Sequence, residues 1–156
     1  MKNRLQNHTT KHDYDNKFQI GFMKNCRTSD HIFVIRVLID KYVKIAGKQK
    51  FLYVCFIDFQ KAFDTVWHDG LFYKCLNYQI GGFMYTVLRG MYDKSSIQFN
   101  FNSGLSEKIC LKNCVKQGCI LSPTLYNLFI NDLPNFFAEE CHPVLLHKEK
   151  LSTLCG

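Results

Sequence analysis

An unbroken apolar run that ends in an aspartate is the feature that most constrains this chain. Residues 51–57 read FLYVCFI, and Asp58 follows directly. A continuous apolar run of this length, rich in aromatic and β-branched residues, is typical of a strand buried on both faces. A carboxylate at the end of such a strand is costly unless water, a partner or a metal ion compensates its charge. The run therefore predicts a buried strand, followed either by an ordinary polar turn or by a metal site at Asp58.

Composition and charge narrow the class of protein. The 156 residues are 47% hydrophobic and 15% aromatic, which excludes a disordered chain and predicts a real core. A net charge of +7 favours a polyanionic partner such as nucleic acid, although many basic proteins bind none. The N-terminus lacks the apolar core of a signal peptide, and no run approaches the roughly 20 apolar residues of a membrane span. We therefore expect an intracellular protein of the cytoplasm or nucleus, without a membrane partner.

The eight cysteines do not form a pattern typical of zinc. Cys55 and Cys75 lie in apolar segments, where a free cysteine behaves as a small hydrophobic residue. Cys110, Cys114 and Cys119 are spaced by three and four residues between neighbours, which differs from the CxxC pairs of zinc ribbons. We expect reduced, structural thiols rather than disulfides or metal ligands.

The order of predicted elements indicates a mixed α+β fold. Residues 1–17 are polar and predict a flexible lead-in, so a single domain is expected over 18–156. Ser29 and Asp30 are predicted to cap a packing helix that Gly47 ends. Later elements are two short helices over 71–78 and 83–92, a hairpin of 96–101 with 107–111, a helix capped by Ser122 and ended or kinked by Pro134, and strands at 144–146 and 151–154.

Two segments together resemble the catalytic motifs of reverse transcriptases of the non-LTR (LINE-type) retrotransposon family. Residues 56–68, FIDFQKAFDTVWH, are similar to the family's first motif, and residues 115–133, VKQGCILSPTLYNLFINDL, to its second. The pieces QIGF at 19–22 and TSDHI at 28–32 resemble the segment ahead of the first motif. The resemblance covers residues 18–156 and implies a partial palm of a right-hand polymerase fold, with a remnant of the fingers.

The resemblance implies roles for residues of the first motif. The family performs RNA-templated DNA synthesis with Mg²⁺ or Mn²⁺, using an RNA template, a DNA primer and deoxynucleoside triphosphates. Asp58 corresponds to a catalytic, metal-binding carboxylate, with the backbone carbonyl of Phe59 beside it. Phe63 corresponds to the aromatic under the incoming sugar, and its alternative interpretation is a plain core phenylalanine. Lys61 is a solvent lysine or a weak nucleic-acid contact, and Asp64 is interpreted as a turn residue.

The second motif implies contacts with the nascent base pair. Gln117 and Gly118 correspond to residues that pack against the template base and the nucleotide, and Lys116 is a weak nucleic-acid contact. Ser122 is explained by helix capping alone. His68, which ends the first motif, and Asp69, which follows it, are interpreted as surface polar residues.

The third motif of the family, an aromatic-x-Asp-Asp turn, has no counterpart. No Asp-Asp pair occurs in the sequence, although residues 145–154, LLHKEKLSTL, resemble the approach to that turn. We therefore expect a domain truncated before this motif and inactive alone. The alternatives are a non-catalytic remnant with weak, nonspecific nucleic-acid binding, or a fragment that binds other proteins through surplus apolar surface.

Overall fold

The computed structural model of the chain describes residues 1–12, 14, 18–45, 52–102, 104–140, 144–146 and 149–151. The described residues form two compact units. The first contains the N-terminal helix and the described part of Lys61–Ile130. The second contains the described part of residues 18–60 together with the part that follows Ile130. Helices and three small antiparallel sheets alternate along the chain, which confirms the predicted α+β class.

The first unit is built on four helices: α1 (Lys2–Lys11), α3 (His68–Asn77), α4 (Gly82–Gly90) and α5 (Ser122–Ile130). Helix α3 packs on both α4 and α5, and α1 packs on α5. The core is formed by residues that lie on these helices and on the segments between them: Leu5, Val66, Leu71, Phe72, Cys75, Ile80, Leu88, Tyr92, Val115, Leu121, Leu125, Tyr126 and Leu128.

Helix α1 was missed by the sequence analysis, which predicted a flexible lead-in. Leu5 is fully buried, Thr9 is nearly so, and His8 Nε2 lies 2.9 Å from the carbonyl oxygen of Tyr78. A single leucine among polar residues gives no helical periodicity. The helix is instead stabilised by packing that only the folded chain provides.

Helices α3 and α4 confirm the two short helices predicted between residues 71 and 92. Helix α5 begins at Ser122, as expected, and ends at Ile130, before Pro134. A further helix, α6 (Leu133–Glu140), then begins, with Pro134 in its first turn. Proline is tolerated there because the first N–H groups of a helix have no intrahelical acceptor. Pro134 thus opens a helix that the sequence analysis did not predict.

The predicted hairpin is present in the first unit, and it is interrupted. Strands β1 (Ser96–Ile97) and β4 (Ile109–Cys110) form one ladder, and β2 (Asn100–Phe101) and β3 (Gly104–Leu105) form the other. Between the ladders, residues 98–99 face residues 106–108, so the second arm carries one extra residue. This is the geometry of a β-bulge, which bends and twists a hairpin locally.

The second unit contains helix α2 (Thr28–Ile39), which continues as a π-helical segment over Asp40–Ile45. The N–H of Arg27 donates to Asp30 Oδ2 at 2.7 Å, so Asp30 caps the helix as predicted, while the helix begins one residue before Ser29. No residue of α2 is buried, and Ile32 and Phe33 are exposed. The helix is thus present where it was predicted, and Ile35 and Ile39 on its predicted apolar face are half-buried, whereas Ile32 is exposed. Its predicted end, Gly47, lies outside the described residues.

The prediction of a buried strand is wrong for residues 52–57, and Phe51 lies outside the described residues. Residues 52–59 have no regular secondary structure, and Tyr53 and Phe56 are 89% and 81% exposed. A strand buried on both faces needs neighbouring strands for its backbone groups and a covering layer for its side chains. Among the described residues, no strand pairs with this segment.

The C-terminal hairpin pairs β5 (Val144–Leu146) with β6 (Glu149–Leu151) in antiparallel register. The first strand was predicted correctly, whereas the second begins at Glu149 rather than 151. The predicted residues 152–154 lie outside the described residues. In the described part of the chain, no helix has the length and apolar character needed to cross a membrane.

Candidate functional site

The two motif segments lie side by side in the first unit. The N–H of Val115 donates to the carbonyl of Phe63 at 2.8 Å, and the N–H of Cys114 donates to the carbonyl of Val66 at 2.8 Å. Trp67 and Asn113 form an antiparallel bridge next to these bonds. The first motif, after residue 60, and the beginning of the second are therefore held together by backbone hydrogen bonds.

A side-chain hydrogen bond extends this junction. Gln117 Nε2 donates to Asp64 Oδ1 at 3.0 Å, and both residues are exposed. The N–H of Asp64 donates to the carbonyl of Lys61 at 2.9 Å, and Lys61 has a left-handed φ of 53°. The backbone of Asp64 thus closes a turn, as predicted, but its carboxylate binds the second motif, which the sequence analysis missed.

Phe63 lies at the edge of the core. It is half-buried, and its ring centroid is 5.2 Å from that of Tyr126 in a tilted arrangement. Such aromatic pairs stabilise by about 0.5–1.5 kcal/mol beyond the area that they bury. The core interpretation of Phe63 therefore describes its packing here, while its contact with an incoming sugar stays a prediction.

The loop before α5 is shaped by Gly118 and closed by Ser122. Gly118 is exposed, has a φ of +78°, and a Cβ on it would meet no atom within 4 Å, so its conformation rather than packing favours glycine. Ser122 is fully buried and its hydroxyl donates to the carbonyl of Lys116 at 2.6 Å. Capping alone thus does not explain Ser122, because its hydroxyl fastens the loop of residues 116–122.

The two candidate lysines differ in how they are held. Lys116 Nζ donates to the carbonyl of Met91 at 3.0 Å and lies 5.6 Å from the centre of the Tyr92 ring. A cation is favourable there because the C-terminus of α4 carries a partial negative charge. Lys61 is exposed at its turn. Nucleic-acid contact by either lysine stays a prediction, and for Lys116 it competes with these contacts.

His68 corrects a prediction. It is only 9% exposed, its Nε2 lies 2.7 Å from the carbonyl of Cys114, and its ring meets Tyr92 edge-on at 5.1 Å. It is a packed histidine that links α3 to the segment directly before the second motif, whereas Asp69 is exposed, as predicted. An isolated histidine carries no local signal that distinguishes these two environments.

Burial governs the titratable groups around the junction. The pKa of the Cys114 thiol is raised, mainly by burial and further by the negative charge of Asp64. Burial likewise raises the pKa of Tyr92 and of Tyr126, and it raises the pKa of Cys75 to about 12. These groups are neutral at physiological pH, so the charges at the junction belong to Asp64 and the exposed lysines.

Asp58 and Phe59 belong to the second unit, and both are exposed. Asp58 lies in the segment without regular secondary structure, so no strand end fixes it. Within the described residues, no group of three or more His, Cys, Asp or Glu side chains could hold a metal ion. A two-ion site needs several converging carboxylates, and the residues described do not fit one by themselves.

Comparison with known proteins decides the family. A sequence profile described as reverse transcriptase (RNA-dependent DNA polymerase) matches residues 1–153. The chain belongs to the reverse transcriptase family. The match includes both motif segments and also the N-terminal helix, which the resemblance of the motifs did not cover.

Curated relatives place this reverse transcriptase domain among non-LTR retrotransposons. It is 29% identical over 119 residues to the RNA-directed DNA polymerase from mobile element jockey of Drosophila funebris, covering 76% of this chain and 13% of that protein. It is 29% identical to the probable RNA-directed DNA polymerase from transposon BS of Drosophila melanogaster, covering 86% and 14%. It is 31% identical to the Pol polyprotein from type-1 retrotransposable element R2 of Popillia japonica, covering 67% and 15%. The alignments thus span only about a seventh of each relative.

Proposed function

We propose that this chain is a partial palm, with part of the fingers, of a polymerase that copies RNA into DNA. Its junction of the two motifs, formed by Phe63, Asp64, Gln117 and Gly118, then contacts the template base and the incoming deoxynucleoside triphosphate. The observation that carries this proposal is the backbone pairing of Phe63 with Val115 and of Val66 with Cys114. This pairing brings the proposed nucleotide contacts of both motifs into one unit.

The local chemistry of the junction supports contact with a base pair. Gln117 is exposed and offers amide donors and a carbonyl acceptor, the groups that read the edge of a base. Gly118 leaves open space beside the backbone, which permits close approach of a flat ligand. Phe63, which directly precedes Asp64 in the chain, is half-buried and adds a partly exposed apolar ring to the junction. The substrates proposed for the complete enzyme are an RNA template, a DNA primer and nucleoside triphosphates.

Reverse transcriptases use divalent metal ions. We propose that Asp58 and the carbonyl of Phe59 supply one set of oxygen ligands for Mg²⁺ or Mn²⁺. Because the sequence has no Asp-Asp pair, these ligands are too few to hold two ions. The 156-residue chain is therefore expected to lack polymerase activity by itself.

The proposed contact is tested by binding. A fluorescent RNA template annealed to a DNA primer is titrated with the chain, followed by polarisation. Gln117→Ala should weaken binding about fivefold, the equivalent of one hydrogen bond. Gln98→Ala, which changes an exposed glutamine on the hairpin, is the matched control and should bind as the unchanged chain does. Equal affinity of both variants would contradict the proposal.

Activity is tested separately, by primer extension on the same duplex with all four nucleotides and Mg²⁺ or Mn²⁺. No template-dependent product is expected. Product that disappears in the Asp58→Ala variant would show that the chain is a complete polymerase and would overturn the proposed inactivity.

A second function, sequence-tolerant nucleic-acid binding by a non-catalytic remnant, is favoured by the net charge of +7. Such binding releases counterions, so its affinity falls linearly with salt on a logarithmic scale. Affinity that falls steeply between 50 and 200 mM salt and is the same for Gln117→Ala and Gln98→Ala would favour this function over the first.

A further inference from the structure

We infer that Asp64 is a positioning residue that orients the side-chain amide of Gln117 toward the template and nucleotide. Asp64 itself then touches neither ligand. The inference rests on the proposed function of Gln117, and it assigns a role to a carboxylate whose local turn does not need it. The turn at Asp64 is closed by its N–H, which donates to the carbonyl of Lys61, and any residue except proline could supply that bond.

The geometry fixes which face of the Gln117 amide is free. Asp64 Oδ1 accepts from Gln117 Nε2 at 3.0 Å, so the amide nitrogen is directed toward the first motif. A carboxylate only accepts hydrogen bonds, which excludes the flipped amide because that would direct oxygen toward oxygen. The carbonyl oxygen of Gln117 is thereby turned away from Asp64. An exposed glutamine without such a partner would rotate freely.

The position of Asp64 is rigid enough for this role. Its neighbour Phe63 is fixed by the Val115 backbone bond and by the Tyr126 ring, and the next turn is fixed by the bond between Val66 and Cys114. The partner, Gln117, lies two residues after Val115 in the second motif. Both ends of the side-chain bond are therefore held by the backbone pairing of the two motifs.

The charge of Asp64 provides a test, because a residue with a positioning role and a residue without one predict opposite changes in nucleic-acid affinity when Asp64 is truncated. A carboxylate beside a polyanion repels it, so removing the charge of Asp64 should strengthen nucleic-acid binding if the residue has no positioning role. If it orients Gln117, truncation should weaken binding despite the lost repulsion. Asp64→Asn and Asp64→Ala remove the same charge, but only asparagine keeps an oxygen that can accept the bond.

The experiment measures affinity for the labelled RNA–DNA duplex at constant salt, by polarisation, for the 156-residue chain and its variants. We expect Asp64→Ala to weaken binding about threefold to fivefold, and Asp64→Asn to bind at least as tightly as the unchanged chain. Asp69→Ala, which removes another exposed carboxylate of the same unit, is the control and should not weaken binding. Equal affinity of the alanine and asparagine variants at position 64 would overturn the inference.

A double-mutant comparison separates this inference from the proposed function. If Asp64 acts through Gln117, then adding Asp64→Ala to Gln117→Ala causes no further weakening. If Gln117→Ala weakens binding and Asp64→Ala does not, the positioning role is wrong and the proposed function stands. If Gln117→Ala has no effect, the proposed function fails, and the inference fails with it.

A spectroscopic measurement reads the hydrogen bond without any ligand. The two side-chain amide protons of Gln117 are followed by ¹⁵N-correlated NMR and assigned by their loss in Gln117→Ala. We expect one of them to be shifted away from the values of solvent-exposed glutamines, to remain shifted in Asp64→Asn, and to return in Asp64→Ala. Amide signals that are identical in all three proteins would overturn the inference.

Discussion

Single residues at the junction of the two motifs take their roles from hydrogen-bond partners, most of which are distant in the sequence. Gln117 meets Asp64, and His68 meets the carbonyl of Cys114. The buried hydroxyl of Ser122 is bound to Lys116, six residues earlier. Buried polar groups need such partners because an unsatisfied group costs about 1–3 kcal/mol. The sequence shows the type of each side chain, but it does not show which group each side chain binds in the folded chain.

Cys75 provides a prediction at this scale. In the folded chain its pKa is raised by burial from 9.0 to about 12. As the pH rises above 9, the unfolded chain loses the thiol proton first, so the free energy of unfolding falls by up to about 1.4 kcal/mol per pH unit. Below pH 9 this thiol is protonated in both states and has no effect.

The measurement is urea unfolding at pH values from 7 to 10.5. The loss of stability above pH 9 should be shallower in Cys75→Ala, whereas Cys110→Ala, at an exposed site, should keep the slope of the unchanged chain. Buried tyrosines also contribute, so the slope of Cys75→Ala does not reach zero. An identical slope for Cys75→Ala and the unchanged chain would contradict the raised pKa.

The helices and strands that were predicted correctly are those whose sequence shows clear helical periodicity or typical turn residues. Helices α3, α4 and α5 and the hairpin of residues 96–110 follow from local patterns, since capping residues and alternation act over a few positions. Helix α1 is the contrary case, because its only buried large side chain is Leu5. Its stability depends on the surface of α5, which lies more than a hundred residues later in the chain.

The packing of α1 gives a prediction. Leu5→Ala should lower the free energy of unfolding by about 2–4 kcal/mol, because it removes buried methyl groups and leaves a cavity. Leu105→Ala, at a leucine that is 68% exposed, should change it by less than about 0.5 kcal/mol. Chemical denaturation of both variants provides the measurement. Similar stability of Leu5→Ala and the unchanged chain would show that α1 is not part of the folded core.

On the scale of the whole molecule, the segment of residues 52–57 is an uncharged apolar run, and most of its side chains are exposed to solvent. Tyr53, Val54, Phe56 and Ile57 are all exposed, and the run contains neither glycine nor proline. Uncharged segments of this length with high β-propensity pair readily with other strands and are an aggregation hazard. The apolar residues that predicted a buried strand thus lie at the surface of the structure.

This exposure predicts concentration-dependent self-association of the chain. Phe56→Lys should lower the apparent mass measured by sedimentation or light scattering, since a charge within the run opposes strand pairing. Phe83→Lys adds the same charge at a phenylalanine that is 79% exposed on α4, and it should leave the association unchanged. An equal decrease for both variants would indicate a general charge effect rather than pairing of this segment.

The sequence by itself determined the α+β class, the short helices, the hairpin, the residue types of the candidate site and the family. Each of these depends on local pattern or on motif identity. Only the tertiary structure decided that α1 packs on α5, that residues 53–59 are exposed, and that the carboxylate of Asp64 accepts a hydrogen bond from Gln117. The reason is physical, because burial and hydrogen-bond partners are properties of surfaces that meet only after folding. Asp58 remains predicted by resemblance, since nothing in its own segment fixes its carboxylate.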